Sequence, residues 1–318
     1  MHADTSPTKT TPQQSATPLG PLVAVVIANI ALAFGPWFVR MADTGPIAAA
    51  FWRIALAVPV LLAASLLLAR GKPAFAGSKG LWGVLAIAGV AFAADLGSWH
   101  FGIVRTTLAN STLFGNSATF IYPIYGFLVA RAWPSRTQGL ALLLAAVGAG
   151  LLMGRSAELS PQNLVGDLFS LLAGVLYAVY FIFMARARTA MAPLPALALS
   201  SLMTVLPLLA IALLLGEKIV PTDWTPLIAL AVVSQLVGQG LMIYALGHLT
   251  PLVVGLALLL QPVVAATIGW FAYGERLAAA DGAGALLVAV ALVLVRLGGR
   301  TPVQLAPVGA QTKSSNRR

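Results

Sequence analysis

The chain has 318 residues, of which 59% are hydrophobic and only 9% charged, and its formal net charge is +10. A soluble domain carries about 25% charged residues, so these proportions exclude a soluble globular enzyme and, for most of the chain, disorder. Cysteine is absent, which removes disulfides, thiolate metal sites and cysteine nucleophiles.

Residues 1–18 are rich in Ser, Thr, Pro and Gln and read as a disordered tail. They do not suit a secretory signal: the start is barely basic, and the apolar run that follows is longer than the usual 7–15-residue signal core. From there the chain alternates long apolar runs with short polar punctuation. Ten runs stand out, at about 21–39, 47–69, 81–104, 108–130, 138–153, 165–185, 194–215, 225–247, 251–273 and 281–297. Most approach the roughly 20 residues that cross about 30 Å of hydrocarbon as a helix. They are too long for barrel strands, so the expected fold is all-α and polytopic. Residues 299–318 read as a second disordered tail.

Charge orients these spans. With both termini on one side, that side holds Lys9, Arg70, Lys72, Lys79, Arg131, Arg136, Arg186, Arg188, Arg296, Arg300, Lys313, Arg317 and Arg318. The other side holds Arg40, Arg105, Arg155, Lys218 and Arg276, and Arg53 lies inside a span. The positive-inside bias makes both termini cytoplasmic and the protein a multi-pass resident of a cell membrane, with a bacterial inner membrane favoured. The basic excess is then a topology signal, and no nucleic-acid partner is expected.

Ten spans invite division into two halves of five. A shift of 146 aligns Gly20 and Arg40 with Gly166 and Arg186, and a shift of 143 aligns Arg105-Thr106-Thr107 with His248-Leu249-Thr250 and Gly139 with Gly282. Five is odd, so the second half inserts upside down. The expected organisation is two inverted five-helix repeats, residues 19–155 and 156–298, with a substrate site near midplane and alternating access.

The second half carries Ser234-Gln235-Leu236-Val237-Gly238-Gln239, then Tyr244-Ala245-Leu246-Gly247-His248-Leu249, Leu260-Gln261-Pro262 and Gly274-Glu275-Arg276-Leu277. The first half carries Phe51-Trp52-Arg53. On these motifs, residues 20–298 resemble the drug/metabolite transporter (DMT) superfamily in its ten-helix EamA (RhaT-like) branch. The first half departs from the pattern, with Arg131-Ala132 facing Gly274-Glu275 and Thr119 where a proline is expected. The resemblance implies a secondary transporter and says almost nothing of cargo.

Ionisable groups inside a bilayer are costly and tend to mark a pathway or a pair. Arg53 falls about 9 Å, and Asp95 about 13 Å, below the outer end of their spans at 1.5 Å per residue. They are expected to pair directly or through water; the alternative is that Arg53 snorkels while Asp95 lines a wet cavity alone. Trp99, on the same helix face as Asp95, could roof a substrate or belong to the interfacial aromatic belt. His100 points elsewhere; it is a proton carrier, as Asp95 could be, or a packed histidine.

Polar stripes complete the candidate binding set: Thr112 and Asn116, in line with Thr119, on span four, Gln235 and Gln239, in line with Met242, on span eight, Gln261 on span nine, Asn29 on span one, and Tyr177 and Tyr180 on span six. Such groups orient a small polar substrate or glue helices together at about 0.6 kcal/mol each. Pro36, Pro59, Pro123, Pro207 and Pro262 are candidate flex points. Spans five and ten, nearly free of polar residues, are expected to be peripheral support, and Asp167 to cap the start of span six.

The expected function is export of a small organic metabolite, an amino acid or similar, with the bilayer as partner and no cofactor or metal. A homodimer stays open. An uptake permease of the same fold is the nearest alternative. A membrane enzyme acting on lipid-linked substrates is remoter, because no H-E-x-x-H or G-x-S-x-G occurs. A G-x-x-x-x-G-K-[ST] loop is also absent, so ATP is not the direct energy source.

Overall fold

The computed structural model describes residues 19–69, 75, 77–106, 108–153, 161–273 and 279–297. Both tails and the Gly274-Glu275-Arg276-Leu277 turn lie outside the described residues. Within them the structure is helical, and the helices fall into ten apolar segments in the expected order. The first is α1 (Leu19–Ala33) with α2 (Gly35–Met41); α3 (Pro46–Leu68) and α4 (Lys79–Ile103) follow. The fourth is α5 (Leu108–Gly115) with α6 (Ala118–Ala130). Then come α7 (Arg136–Met153), α8 (Pro161–Arg188) and α9 (Pro193–Leu214). The eighth runs from α10 (Thr225–Ala229) through a π-helical stretch (Leu230–Gln239) to α11 (Gly240–Leu246). The ninth is α12 (Pro251–Leu258) with α13 (Leu260–Tyr273), and the tenth is α14 (Ala279–Leu297).

Local chemistry explains the starts and breaks. Proline opens α3, α9 and α12, where a missing N–H costs nothing. Ser78 and Thr250 cap their helices by accepting from the N–H of Leu81 and Val253. Pro36 and Pro262 lack the N–H that would continue the ladder, and the chain breaks just before them, at Phe34 and Leu259. At the end of α6, Arg131 is the one non-glycine with positive φ among the described residues, at 48°. It occupies the place where the resemblance leads one to expect a glycine.

Among the described residues, seven segments are long and apolar enough to cross a membrane: Leu19–Met41, Pro46–Leu68, Lys79–Ile103, Leu164–Arg188, Pro193–Leu214, Thr225–Leu246 and Pro251–Ala272. The fourth of the ten segments is interrupted at Asn116–Ser117, which leaves Ala118–Ala130 as a shorter apolar helix. At about 1.5 Å per residue, α7 reaches only about 27 Å. Bulky apolar side chains such as Leu67, Leu128, Leu206 and Leu214 are exposed around the bundle, as a lipid-facing surface requires.

The helix pairings interchange when the halves are exchanged. The contact of α4 with α8 has its counterpart in α1 with the π-helical stretch and α11, and that of α4 with α9 in α3 with the π-helical stretch. That of α5 with α8 has its counterpart in α1 with α13. The pairs α3–α9, α6–α12 and α7–α14 map onto themselves. Glycines set the closest approaches. A Cβ on Gly89 would meet the Ser200 carbonyl of α9 at 2.8 Å, and one on Gly102 the Gly166 carbonyl of α8 at 2.8 Å.

One face of the bundle holds residues 42–45 and 215–224, and there the halves are stitched together. Gly45 N–H donates to the Lys218 carbonyl at 3.1 Å, and Trp52 Nε1 to the Ile219 carbonyl at 2.7 Å. Glu217 accepts from the N–H of Ile47 (3.3 Å) and Ala48 (2.7 Å). Lys218 and Asp43 form an ion pair at 2.6 Å, and Thr222 N–H adds a bond to Asp43 at 2.8 Å. These partners hold the exposed Asp43 carboxyl below the usual carboxylate range. Hereafter this is the stitched face.

Candidate functional site

Helix α4 presents Phe92, Asp95, Leu96 and Trp99 at i, i+3, i+4 and i+7, a single helical face. All four line a cavity of about 30 Å³, together with Leu32, Arg53, Gly115, Asn116, Tyr177, Gln239 and Gln261. That space admits a water or two. Anything larger than that would require the cavity to widen.

Seven of the eleven residues expected to bind substrate line this one cavity: Arg53, Asp95, Trp99, Asn116, Tyr177, Gln239 and Gln261. The other four stand behind the wall. Gln235 Oε1 accepts from Arg53 Nε at 3.1 Å, and its Nε2 donates to Ser201 Oγ at 3.2 Å. Asn29 Oδ1 accepts from Gln261 Nε2 at 2.8 Å while its own amide donates to the Val25 carbonyl at 2.7 Å. Thr112 donates to the Leu108 carbonyl, and its own carbonyl accepts from Asn116 Nδ2 at 2.8 Å. Tyr180 stacks on Phe92, ring centres 4.3 Å apart and 15° from parallel. Gln239 accepts from the Tyr177 hydroxyl at 3.1 Å. Both glutamines belong to the π-helical stretch, an irregularity frequent at functional sites.

The direct form of the expected Arg53–Asp95 pair is not present. Their charged atoms stand beyond the 4.0 Å of a salt bridge, although both groups face the cavity. Among the described residues no hydrogen bond holds the Asp95 carboxylate, which is 6% exposed. Arg53 does not snorkel: it is 2% exposed, held through Nε by Gln235, with Cζ 6.0 Å from the Phe92 ring centre. Gln235 takes the place that Asp95 was expected to fill, so the carboxylate and the terminal guanidinium nitrogens are left for the cavity.

Trp99 is a cavity wall and not a belt residue. Its Nε1 donates to the Ser111 carbonyl at 3.2 Å. His100 does not line the cavity. It is fully buried, and its Nδ1 lies 2.9 Å from the Pro46 carbonyl, which makes that nitrogen the protonated donor. Asp167 does not cap span six, because α8 begins earlier, at Pro161; its carboxylate accepts from Thr106 Oγ1 at 2.6 Å. Helices α7 and α14 pack on each other, and no described residue of either lines the cavity.

Away from the stitched face the cavity is backed by aromatic rings. Tyr177 and Phe181 lie 4.1 Å apart, and Phe181 reaches Tyr122 at 5.5 Å. Phe92 and Leu96, absent from the expected set, could have been found by extending the helical stripe from Asp95 and Trp99. Ser201 left no such signal; only the fold brings it to Gln235.

Residues 164–297 match the EamA-like transporter family model. The second half of the chain is thus similar to this transporter family, and with its long apolar helices the match supports a multi-pass membrane protein. No curated protein sequence matches the chain significantly. A solved structure described only as "Crystal structure of protein" shares the fold, with TM-score 0.71 and 16% identity over 88% of this chain and 96% of its own.

Proposed function

We propose that the protein exports a small zwitterionic metabolite, an amino acid or similar, by alternating access around the Arg53–Asp95 cavity. The observation that carries this is the Asp95 carboxylate, buried and, among the described residues, without a hydrogen bond, sharing the cavity with a guanidinium that the described residues anchor through Nε alone. A carboxylate of the cargo would take the terminal guanidinium nitrogens as a forked pair, and an ammonium would take Asp95. Trp99, Tyr177 and Phe92 supply apolar surface between the two. Asn116, Gln239 and Gln261 supply hydrogen bonds. Asp95 is then the ionisable group available for proton coupling.

The interchange of helix pairings supports two repeats, residues 19–155 and 156–298, rocking about a pseudo-twofold axis through the cavity. The basic bias supports cytoplasmic termini, which makes the stitched face the outer one. The test is flux in proteoliposomes loaded with amino acids. Asp95→Asn and Arg53→Gln should each abolish transport of zwitterions at normal protein levels. Unchanged flux in both variants would refute the site, and comparing right-side-out with inside-out vesicles tests the direction.

A further inference from the structure

The two ends of the cavity are closed differently. Toward the stitched face lies a second, wider pocket of about 440 Å³, lined by Val39, Arg40, Ala42, Thr44, Pro46, Ile103 and Val104. On α4, one helical turn separates Trp99 of the cavity from Ile103 of this pocket, about 6 Å along the axis. Between the two lies a small apolar cluster, Val39, Ile103, Leu108 and Leu230, with Phe38 and Trp99 packed against it; Trp99 bridges it to the main core. The opposite end is closed by the main core itself, with its layered aromatic rings.

Trp99 sits in a seat made by two glycines, each at a break in its span. A Cβ on Gly115, at the end of α5, would meet Trp99 Nε1 at 2.8 Å, and one on Gly35, at the start of α2, would come within 3.7 Å of the ring. The single polar tether of Trp99 among the described residues is the bond to the Ser111 carbonyl. Meanwhile the stitching joins α3 to residues 215–224 and resists separation of the halves along that seam.

We propose that Trp99 is a one-residue gate between the cavity and the pocket at the stitched face. It opens by displacement of the short helices α2 and α5 about their breaks while the α3 seam stays joined. The gate's location on the outer side rests on the orientation proposed above; the gate itself does not depend on the cargo.

The chain has no cysteine, so Leu96→Cys places a single thiol in the cavity wall. The measurement is its labelling rate by a membrane-impermeant maleimide added outside intact cells. Trp99→Ala should raise that rate by about tenfold, the factor that about 1.4 kcal/mol of lost packing from this half-buried indole represents. Gly115→Val, which crowds the indole out of its seat, should raise it too. Leu61→Cys, buried in the main core, should stay unlabelled in both backgrounds. An unchanged Leu96→Cys rate in both variants would overturn the gate, as would parallel labelling of Leu61→Cys, which would mean general loosening. Acceleration only with reagent confined to the cytoplasmic side would keep the gate and overturn the orientation. Because no substrate is used, the result stands whether or not the cargo is a zwitterion.

Discussion

Glu217 is the most informative residue of the stitched face. Helix α3 starts with Gly45 at its cap position, which has no side chain to offer, and Pro46 next. The first free N–H groups are those of Ile47 and Ala48, and Glu217 from the other half of the chain accepts both, at 3.3 and 2.7 Å. Loss of a capping side chain costs typically about 1 kcal/mol. A carboxylate against a helix N-terminus contributes about another 0.3–1 kcal/mol at a partly exposed position. The longer bond adds little. Glu217→Ala should therefore destabilise the protein by about 1.3–2 kcal/mol, and Glu217→Gln, which still accepts but carries no charge, by about 0.3–1 kcal/mol. The assay is reversible unfolding of purified protein in mixed micelles of a mild detergent and SDS, followed by tryptophan fluorescence. Trp52 reports directly, because it donates to the Ile219 carbonyl and packs edge-on against Trp224 at 4.8 Å. Wild-type stability in Glu217→Ala would refute the cross-half cap, and equal losses in Ala and Gln variants would refute the role given to charge.

Four further outcomes are expected. Gln235→Leu strips Arg53 Nε of its acceptor and should reduce transport far more than protein level, with Ser201→Ala a weaker version of the same defect; equal flux in wild type and Gln235→Leu vesicles would count against the Arg53 anchor. Gly255→Val should destabilise by about 1–3 kcal/mol through overpacking, because a Cβ there meets Pro123 Cγ at 2.6 Å and the Thr119 carbonyl at 2.7 Å, whereas Gly139→Ala has nothing within 4 Å and should be nearly silent in the same unfolding assay. Arg131→Gly should stabilise by roughly 1 kcal/mol, relieving a left-handed backbone that costs about that much outside glycine; a loss of stability would mean that the Arg131 side chain outweighs the strain. Finally, the Asp43 carboxyl titrates below its unfolded value, so its contribution is present above the ordinary carboxylate range near pH 4 and is lost as pH falls through its lower folded value. An unfolding-versus-pH profile should therefore steepen on the acid side in wild type and flatten in Asp43→Asn.

Much of the candidate site was legible because the bilayer makes buried polar groups rare. Arg53 and Asp95 stood out in apolar spans, and Asn116, Gln239 and Gln261 stood out for the same reason. Which of them touch was not legible. Gln235 competes for Arg53 through a bond linking positions 182 residues apart, and no periodicity reports such a contact. The error over Asp167 has a local cause: the helix extends back to Pro161, so a carboxylate expected at the N-terminus sits a turn and a half inside.

Composition and hydropathy run lengths determined the helical class, the ten segments and the charge bias, because each depends only on what a stretch of chain can bury in hydrocarbon. The tertiary structure alone decided that Arg53 and Asp95 share a cavity without a direct ion pair, that Glu217 caps a helix of the other half, and that Trp99 sits in two glycine notches. Those are questions of distance between residues far apart in the chain. Close packing at glycines sets such distances, and apolar spans of similar composition leave them open.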